Sequence, residues 1–419
     1  MTSVQGSGHK NITLPYSLIQ CFYWMGFASI SAFSSVYLLS LGISNTVIGN
    51  TLGLGALLSA IAQPFVGIMI DRRPNVTTKA VLCIGSTITI MTALLLFPAS
   101  KGVPSLVPFM YVLLMFLLQL AQPFSNSIGM LGINAGYKLN FGLGRALGSL
   151  GYAFVAFILG RLSKQYGGNV VPLFIALSFI FTLISLLIYP VDEKARKMEL
   201  SAQNAAAAGD SPTSTKSVNS SGLLSFFKKY STFAISLIGL TLIFYSHVTL
   251  NSFGLQIIAS KGGSNAEMGI ATAISASIEL IPMVLFPILV KKFRISSMLM
   301  ISAAFFTLKI LFTLLATNVP MYYAAQLCQL PGWGIMAISI VYYVNELVDE
   351  TDSAQGQAYA GSTLTLGNVI GNLFGGRIID ALGINMLLTI GLISALIGTA
   401  IFCFGIIITD KQKKITVNS

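Results

Sequence analysis

The chain has 419 residues, 54% of them hydrophobic and 9% charged, with a mean hydropathy of +0.80. Soluble domains carry about 25% charged residues, so this composition excludes a water-exposed globular enzyme, and most of the chain must face lipid or other apolar segments. The net charge of +11 does not indicate a nucleic-acid partner, because the basic residues gather in short clusters beside apolar runs.

In chain order the apolar runs are 15–41, 46–70, 77–97, 105–131, 141–163 and 170–189, then 231–259, 266–290, 296–316, 319–344, 355–379 and 385–408. Each approaches or exceeds the roughly 20 residues that cross a bilayer as a helix. The expected fold is an all-α integral membrane protein of about twelve transmembrane helices. Clusters such as Arg72, Arg73 and Lys79, or Lys291, Lys292 and Arg294, fall in alternate loops, while the loops between them hold little beyond Lys101, Lys164 and Lys261. This asymmetry predicts a multi-pass protein of the cell membrane, plasma or bacterial inner, with both termini cytoplasmic. Membrane lipid is then a partner and nucleic acid is not. Cys21, Cys83, Cys328 and Cys403 all fall within apolar runs, without metal-like spacing, and read as small core residues.

The polar interval 191–229, with Ala205 to Ala208 followed by Gly209, Asp210, Ser211 and Pro212, reads as a cytoplasmic linker. It divides an N-terminal six-helix bundle, 1–190, from a C-terminal one, 230–419. The halves repeat faintly: Gly160-Arg161 precedes Gly167 after span 5, and Gly376-Arg377 precedes Gly383 after span 11. Such pseudo-symmetric halves characterise carriers that rock about a central site.

After span 2 the chain reads Gly67-x-x-x-Asp71-Arg72-Arg73, which resembles the signature loop of the major facilitator superfamily, with Pro74 where that loop has glycine. Gly67, Asp71 and Arg72 are the candidate conformational latch. Span 5 opens Phe141-Gly142-x-x-Arg145-x-x-Gly148-x-x-Gly151-Tyr152-Ala153. This resembles the oligosaccharide:proton symporter branch, typified by lactose permease, with the phenylpropionate-type and nucleoside permeases as relatives. The resemblance implies that Arg145 bonds sugar hydroxyls and Tyr152 stacks on the ring. The family's acid in span 4 matches Asn126, and its His and Glu in span 10 match Gln329 and Gly332, so those charged groups are missing here. The residues agree independently: Arg145, Gly148, Ser149 and Tyr152 share one helical face. An Arg at that depth costs about 2.5–3.5 kcal/mol unless it meets water or a partner.

Glu279 is the one carboxylate inside a span, about 18 Å from the cytoplasmic end of span 8, and Lys309 lies at a similar depth in span 9. They are the candidate proton-coupling pair, a permanent structural ion pair being the other reading. Polar stripes supply candidate substrate contacts: Trp24 in span 1; Gln119, Gln122 and Asn126 in span 4; Tyr245 and Asn251 in span 7; Gln326 and Gln329 in span 10; and Asn368 in span 11. Amides and aromatic faces suit a neutral polyhydroxylated ligand, although each stripe taken singly is equally the glue of a helix bundle. His247 reads as a packed polar residue. The Gly-rich stretch 361–376 lacks the Lys-Ser pair of a phosphate loop and serves close helix packing. The expectation is a monomeric secondary transporter, without cofactor or metal, that imports a sugar or oligosaccharide with a proton. Sodium is the alternative ion, an aromatic acid or nucleoside the alternative solute, and a non-transporting membrane sensor the reading from another class.

Overall fold

The structure is a computed structural model that describes residues 11–73, 75–191, 223–349 and 352–418. Most of the expected linker, 192–222, lies outside the described residues; its last turn is a short helix, Leu223–Lys229. Among the described residues the regular structure is helical, apart from one isolated bridge between Asn11 and Lys138.

Twelve helical rods follow in order. α1 is bent by 44° between Thr13–Ala32 and Ser34–Ser40. Next come α2 (Asn45–Arg72), α3 (Thr78–Gly102), α4 (Val107–Asn134), α5 (Phe141–Tyr166) and α6 (Val170–Ile188). The second set is α7 (Ser231–Ser252), α8 (Asn265–Lys292), α9 (Ile295–Leu315), α10 (Val319–Leu347), α11 (Ser353–Leu382) and α12 (Ile384–Gln412). Ten are each long and apolar enough to cross a membrane, and the bent α1 makes eleven. The remaining rod is α11. Its 30 residues are ample in length, but Gln355, Gln357, Asn368, Asn372, Arg377 and Asp380 dilute its hydropathy.

Side-chain caps start several rods. Asn140 and Asn318 accept from Leu143 and Met321 N–H at 3.0 Å each, and Ser264 forms a capping box with Glu267. The repeated glycines noted in the sequence terminate equivalent rods in the same way. Gly167 ends α5 at φ 80°, ψ 179°, and Gly383 ends α11 at φ 82°, ψ 173°, a region open essentially to glycine alone.

Packing repeats as well. α1 lies against α5 and α6, as α7 lies against α11 and α12; the first six rods meet the last six chiefly through α2 on α11 and α5 on α8. These crossings occur at the end opposite the chain termini, here the distal end. A Cβ at Gly160 would stand 2.8 Å from Gly269 Cα, and one at Gly376 would collide with the Asn45 carbonyl. Polar contacts complete the seal. The Asp380 carboxylate accepts from Asn45 Nδ2 (2.8 Å) and Thr46 N–H (2.6 Å), Gln256 Nε2 donates to Asn45 Oδ1 (2.8 Å), and Lys164 pairs with Glu267 at 3.5 Å. At the other end of the same rods, none of the described residues stands within 4 Å of a Cβ at Gly67 or Gly361. Gly67, of the candidate latch, therefore has no close described neighbour in this arrangement, in which the halves part toward the terminal end. The side chains of Asp71 and Arg72 lie outside the described residues.

At the terminal end Lys229 bridges Asp349 (2.7 Å) and Asp352 (2.6 Å), and Tyr230 Oη donates to Asp352 at 2.9 Å. Hydrogen bonds from Lys229 hold both carboxyls below the usual Asp range, and those carboxylates raise the Lys229 ammonium above its own.

Two outcomes follow from this packing. Overpacking costs about 1–3 kcal/mol, and about 1.4 kcal/mol is tenfold in an equilibrium. Gly376→Leu should therefore let an impermeant thiol reagent reach a cysteine placed at Ser35, beneath the seal, about tenfold faster from the distal side. For the Lys229 clamp, depressed carboxyls contribute stability above the unfolded Asp pKa, about 3.9, and lose it as pH falls through the lower folded values. Raised Lys229 contributes below about 10.4 and loses its share as pH rises through the folded value. Thermal midpoints should thus drop toward about pH 3, and Lys229→Met should remove part of that drop.

Candidate functional site

The space between the halves forms a cavity of about 260 Å³. Arg145, Ser149 and Tyr152, set on one face of α5 by helical spacing, all reach its wall. The glycines between them have a different task. A Cβ at Gly144 would strike the Tyr16 ring at 2.5 Å, one at Gly148 the Trp24 ring at 2.7 Å, and one at Gly151 the Cys21 carbonyl at 2.7 Å. They form the groove in which α1 seats, and α1 delivers Trp24 under the guanidinium. The Arg145 Cζ lies 4.7 Å from the indole centroid, a cation–π contact that strengthens when desolvated. Buried Gln20 ties the arrangement together: its Nε2 donates to the Ser125 carbonyl (2.7 Å), and its Oε1 accepts from Trp24 Nε1 (3.1 Å) and Arg145 Nη1 (3.5 Å).

Across the cavity stands Glu279, at a break in α8 between Asn265–Ile278 and Leu280–Lys292. The break is nested against a second one, in α10, where a 3₁₀ turn Leu327–Gln329 separates Val319–Gln326 from Trp333–Leu347. Gly334 permits the contact, since a Cβ there would stand 3.0 Å from the Glu279 carbonyl. Irregular helix inside a membrane bundle is tolerated where it lines a cavity. The Glu279 carboxylate accepts from Ser149 Oγ on α5 and from Gln329 Nε2 on α10, both at 3.4 Å. Lys309 does not meet it directly. Lys309 is 3% exposed, and its ammonium donates to Gln329 Oε1 at 2.6 Å, so that Gln329 stands between the two charges.

Above this level lies an aromatic pair. The His247 ring stacks on Trp333 at 5.0 Å and 7°, with Phe306 edge-on to both rings, and Asn251 Nδ2 lies 3.0 Å from His247 Nε2. Gln119, Gln122, Asn251, Gln326 and Asn368 are on the wall with Trp24, Arg145, Tyr152, Glu279 and Gln329. Ten of the expected site residues therefore converge on one space.

Three do not. Lys309 is behind Gln329. Tyr245 is only 8% exposed, where α11 presses on α7; a Cβ at Gly367 would be 2.9 Å from the Tyr245 nitrogen. Asn126 is off the wall, its Oδ1 enclosed without a hydrogen-bond partner. The expectations missed Thr272 and Ser275, both on the wall; Ser275 Oγ donates to Gln326 Oε1 at 2.8 Å. Their spacing to Glu279, seven and four residues, marks the same face of α8 and was the available signal.

The fold has solved relatives. The structure superposes on the nucleoside transporter NupG with a TM-score of 0.75 at 17% identity, covering 96% of this chain and 99% of that one. A point mutant of the peptide transporter POT gives 0.67 at 13% identity over 93% of each chain. A POT family transporter in complex with 5-aminolevulinic acid gives 0.66 at 12%, over 94% and 96%. No curated protein matches the sequence. These neighbours are transporters and not enzymes, and the MFS_1 like family model matches residues 16–389; the chain belongs to that family, and is a multi-pass membrane transporter of major facilitator type.

Proposed function

We propose that the protein moves a small polyhydroxylated solute, a sugar in the first instance, together with a proton by alternating access between two six-helix halves. The supporting observation is the state of the charged groups on the cavity wall. The hydrogen bonds of Arg145 and Glu279 there are 3.4–3.5 Å long, well beyond the usual 2.7–3.2 Å of such bonds. A vicinal diol supplies what both lack, because one hydroxyl donates to the carboxylate while its neighbour accepts from the guanidinium. Amides around the wall serve further hydroxyls, and Trp24 and Tyr152 offer ring faces. The volume, about 260 Å³, lies just under the roughly 300–1,000 Å³ of typical ligand pockets, which suits a small solute.

Glu279 is the proton carrier in this reading. It bridges the halves through Ser149, so its protonation and the solute's hydroxyls compete for one acceptor, which links occupancy to the relative position of the bundles. The halves 1–190 and 230–419 are the moving bodies and 191–229 joins them. Both termini face the cytoplasm and the monomer suffices. The state described here, sealed at the distal end, is then inward-open.

A second reading, transport of a nucleoside, is favoured by the parallel His247–Trp333 pair. That platform fits a planar base while Arg145 and Glu279 take the ribose diol. The likeness in fold to a nucleoside transporter is compatible with it.

Proteoliposomes offered labelled monosaccharides, disaccharides and nucleosides, with and without an imposed pH gradient, decide between these readings. Accumulation of one class should require the gradient. Glu279→Gln should abolish that accumulation yet leave exchange of solute across a membrane without a gradient. Accumulation unchanged in Glu279→Gln would remove the proton-carrier role.

A further inference from the structure

Lys309 is a buried cation whose one hydrogen-bonded acceptor among the described residues is a neutral side chain, the Gln329 amide. An ammonium has three donors and no acceptor, whereas an amide has a donor end and an acceptor end. Only one orientation of Gln329 is compatible with both neighbours. Turned as it is, Oε1 faces the ammonium at 2.6 Å and Nε2 faces the Glu279 carboxylate at 3.4 Å. Turned over, two donors would meet at Lys309 and two acceptors at Glu279, both repulsive. The backbone that carries the amide is held in place, since the short turn Leu327–Gln329 leads to Gly332, whose carbonyl accepts from Ser302.

We propose that Lys309 is a positioning residue that sets the polarity of the Gln329 amide, so that the cavity is offered an N–H donor beside Glu279. Lys309 is not the charge with which Glu279 exchanges its proton. The bond lengths divide the roles: the contact on the Lys309 side is short and closed to the cavity, and the one on the Glu279 side is long and open to it. A solute therefore meets a fixed pair at this corner, a carboxylate acceptor and an amide donor. It must present a hydroxyl hydrogen to the first and an oxygen lone pair to the second. An ammonium in place of that oxygen is disfavoured by Gln329, because two donors would face each other.

The proposal rests on the reading of Glu279 as the titrating group of the carrier, and its test is made on the full chain without any solute. Lys309 also acts on Glu279 through space, and the other charged and titratable groups near this corner are Arg145 and Tyr152 on α5, His247 on α7 and Cys328 on α10 beside Lys309. The infrared carboxyl band of Glu279, assigned by its loss in Glu279→Gln, is followed against pH in purified protein. Lys309→Met should displace the midpoint less when Gln329→Leu is already present than when it is absent, the remainder being the direct field of the cation. Lys309→Arg, also donor-only, should retain the wild-type midpoint. Lys309→Gln, which keeps a hydrogen bond but no longer dictates the amide's direction, should behave as Lys309→Met. A displacement in Lys309→Met that persists undiminished when Gln329→Leu is already present would mean that the cation acts on Glu279 directly, and would overturn the proposal.

If the wild-type band does not titrate, the proton-carrier reading fails, and the lock is decided by thermal midpoints followed by circular dichroism. The coupling between Lys309→Gln and Glu279→Gln should then be smaller in a Gln329→Leu background than with Gln329 present. If it is undiminished there, the lock is refuted. Lys309→Gln and Lys309→Arg keep the cycle complete should Lys309→Met fail to fold.

Discussion

A guanidinium, an ammonium and a carboxylate enclosed in an apolar helix bundle set the terms for what surrounds them. Each such charge is expensive to withdraw from water unless hydrogen bonds and opposite charge replace the lost solvation. The chain meets this demand asymmetrically. Lys309 has one short bond, to Gln329, whereas Arg145 and Glu279 are held by long contacts and by a flat indole. The loosely held groups are those that face the cavity. The helix irregularities follow from the same demand. The breaks at Glu279 and at Leu327–Gln329 turn side chains inward that a continuous helix would carry elsewhere, and the glycine at 334 lets the two breaks nest.

Much of the architecture was legible in the sequence because the bilayer demands long apolar runs, and those runs are hard to mistake. α11 was the least secure by hydropathy and is the most polar rod, since it carries both the distal seal and part of the cavity wall. The face of α5 was legible for a different reason: helical periodicity alone puts Arg145, Ser149 and Tyr152 together. What sequence depth supplies is height in the membrane and not direction around the bundle. Glu279 and Lys309 do stand at a common level, yet an amide from a third helix separates them, and its position depends on a break in α10 that no periodicity announces. Tyr245 fails for the same reason, as glycines of α11 press on α7 at that residue. The Thr272, Ser275 and Glu279 face of α8 was readable in principle, but hydroxyls on an apolar helix are common and carry little signal of their own.

Pseudo-symmetry gives the distal seal its form. Two equivalent crossings, α2 on α11 and α5 on α8, each rely on glycine where backbone meets backbone. Such contacts are stiff in one respect and cheap in another. They tolerate no added side chain, but they consist of dispersion, a few hydrogen bonds and an ion pair that already meets solvent, so parting them exposes little that must then be solvated. A carrier that opens and closes repeatedly needs an interface of this kind.

The two tryptophans have a consequence of their own. The chain contains only Trp24 and Trp333, one on the first half and one on the second, and both border the central space. Indole emission from the native protein therefore arises entirely from the cavity wall, with one emitter against a guanidinium and the other against an imidazole. Solute entry and relative movement of the halves both alter the surroundings of these emitters, so the wild-type carrier holds an optical reporter of its own cycle and needs no attached dye.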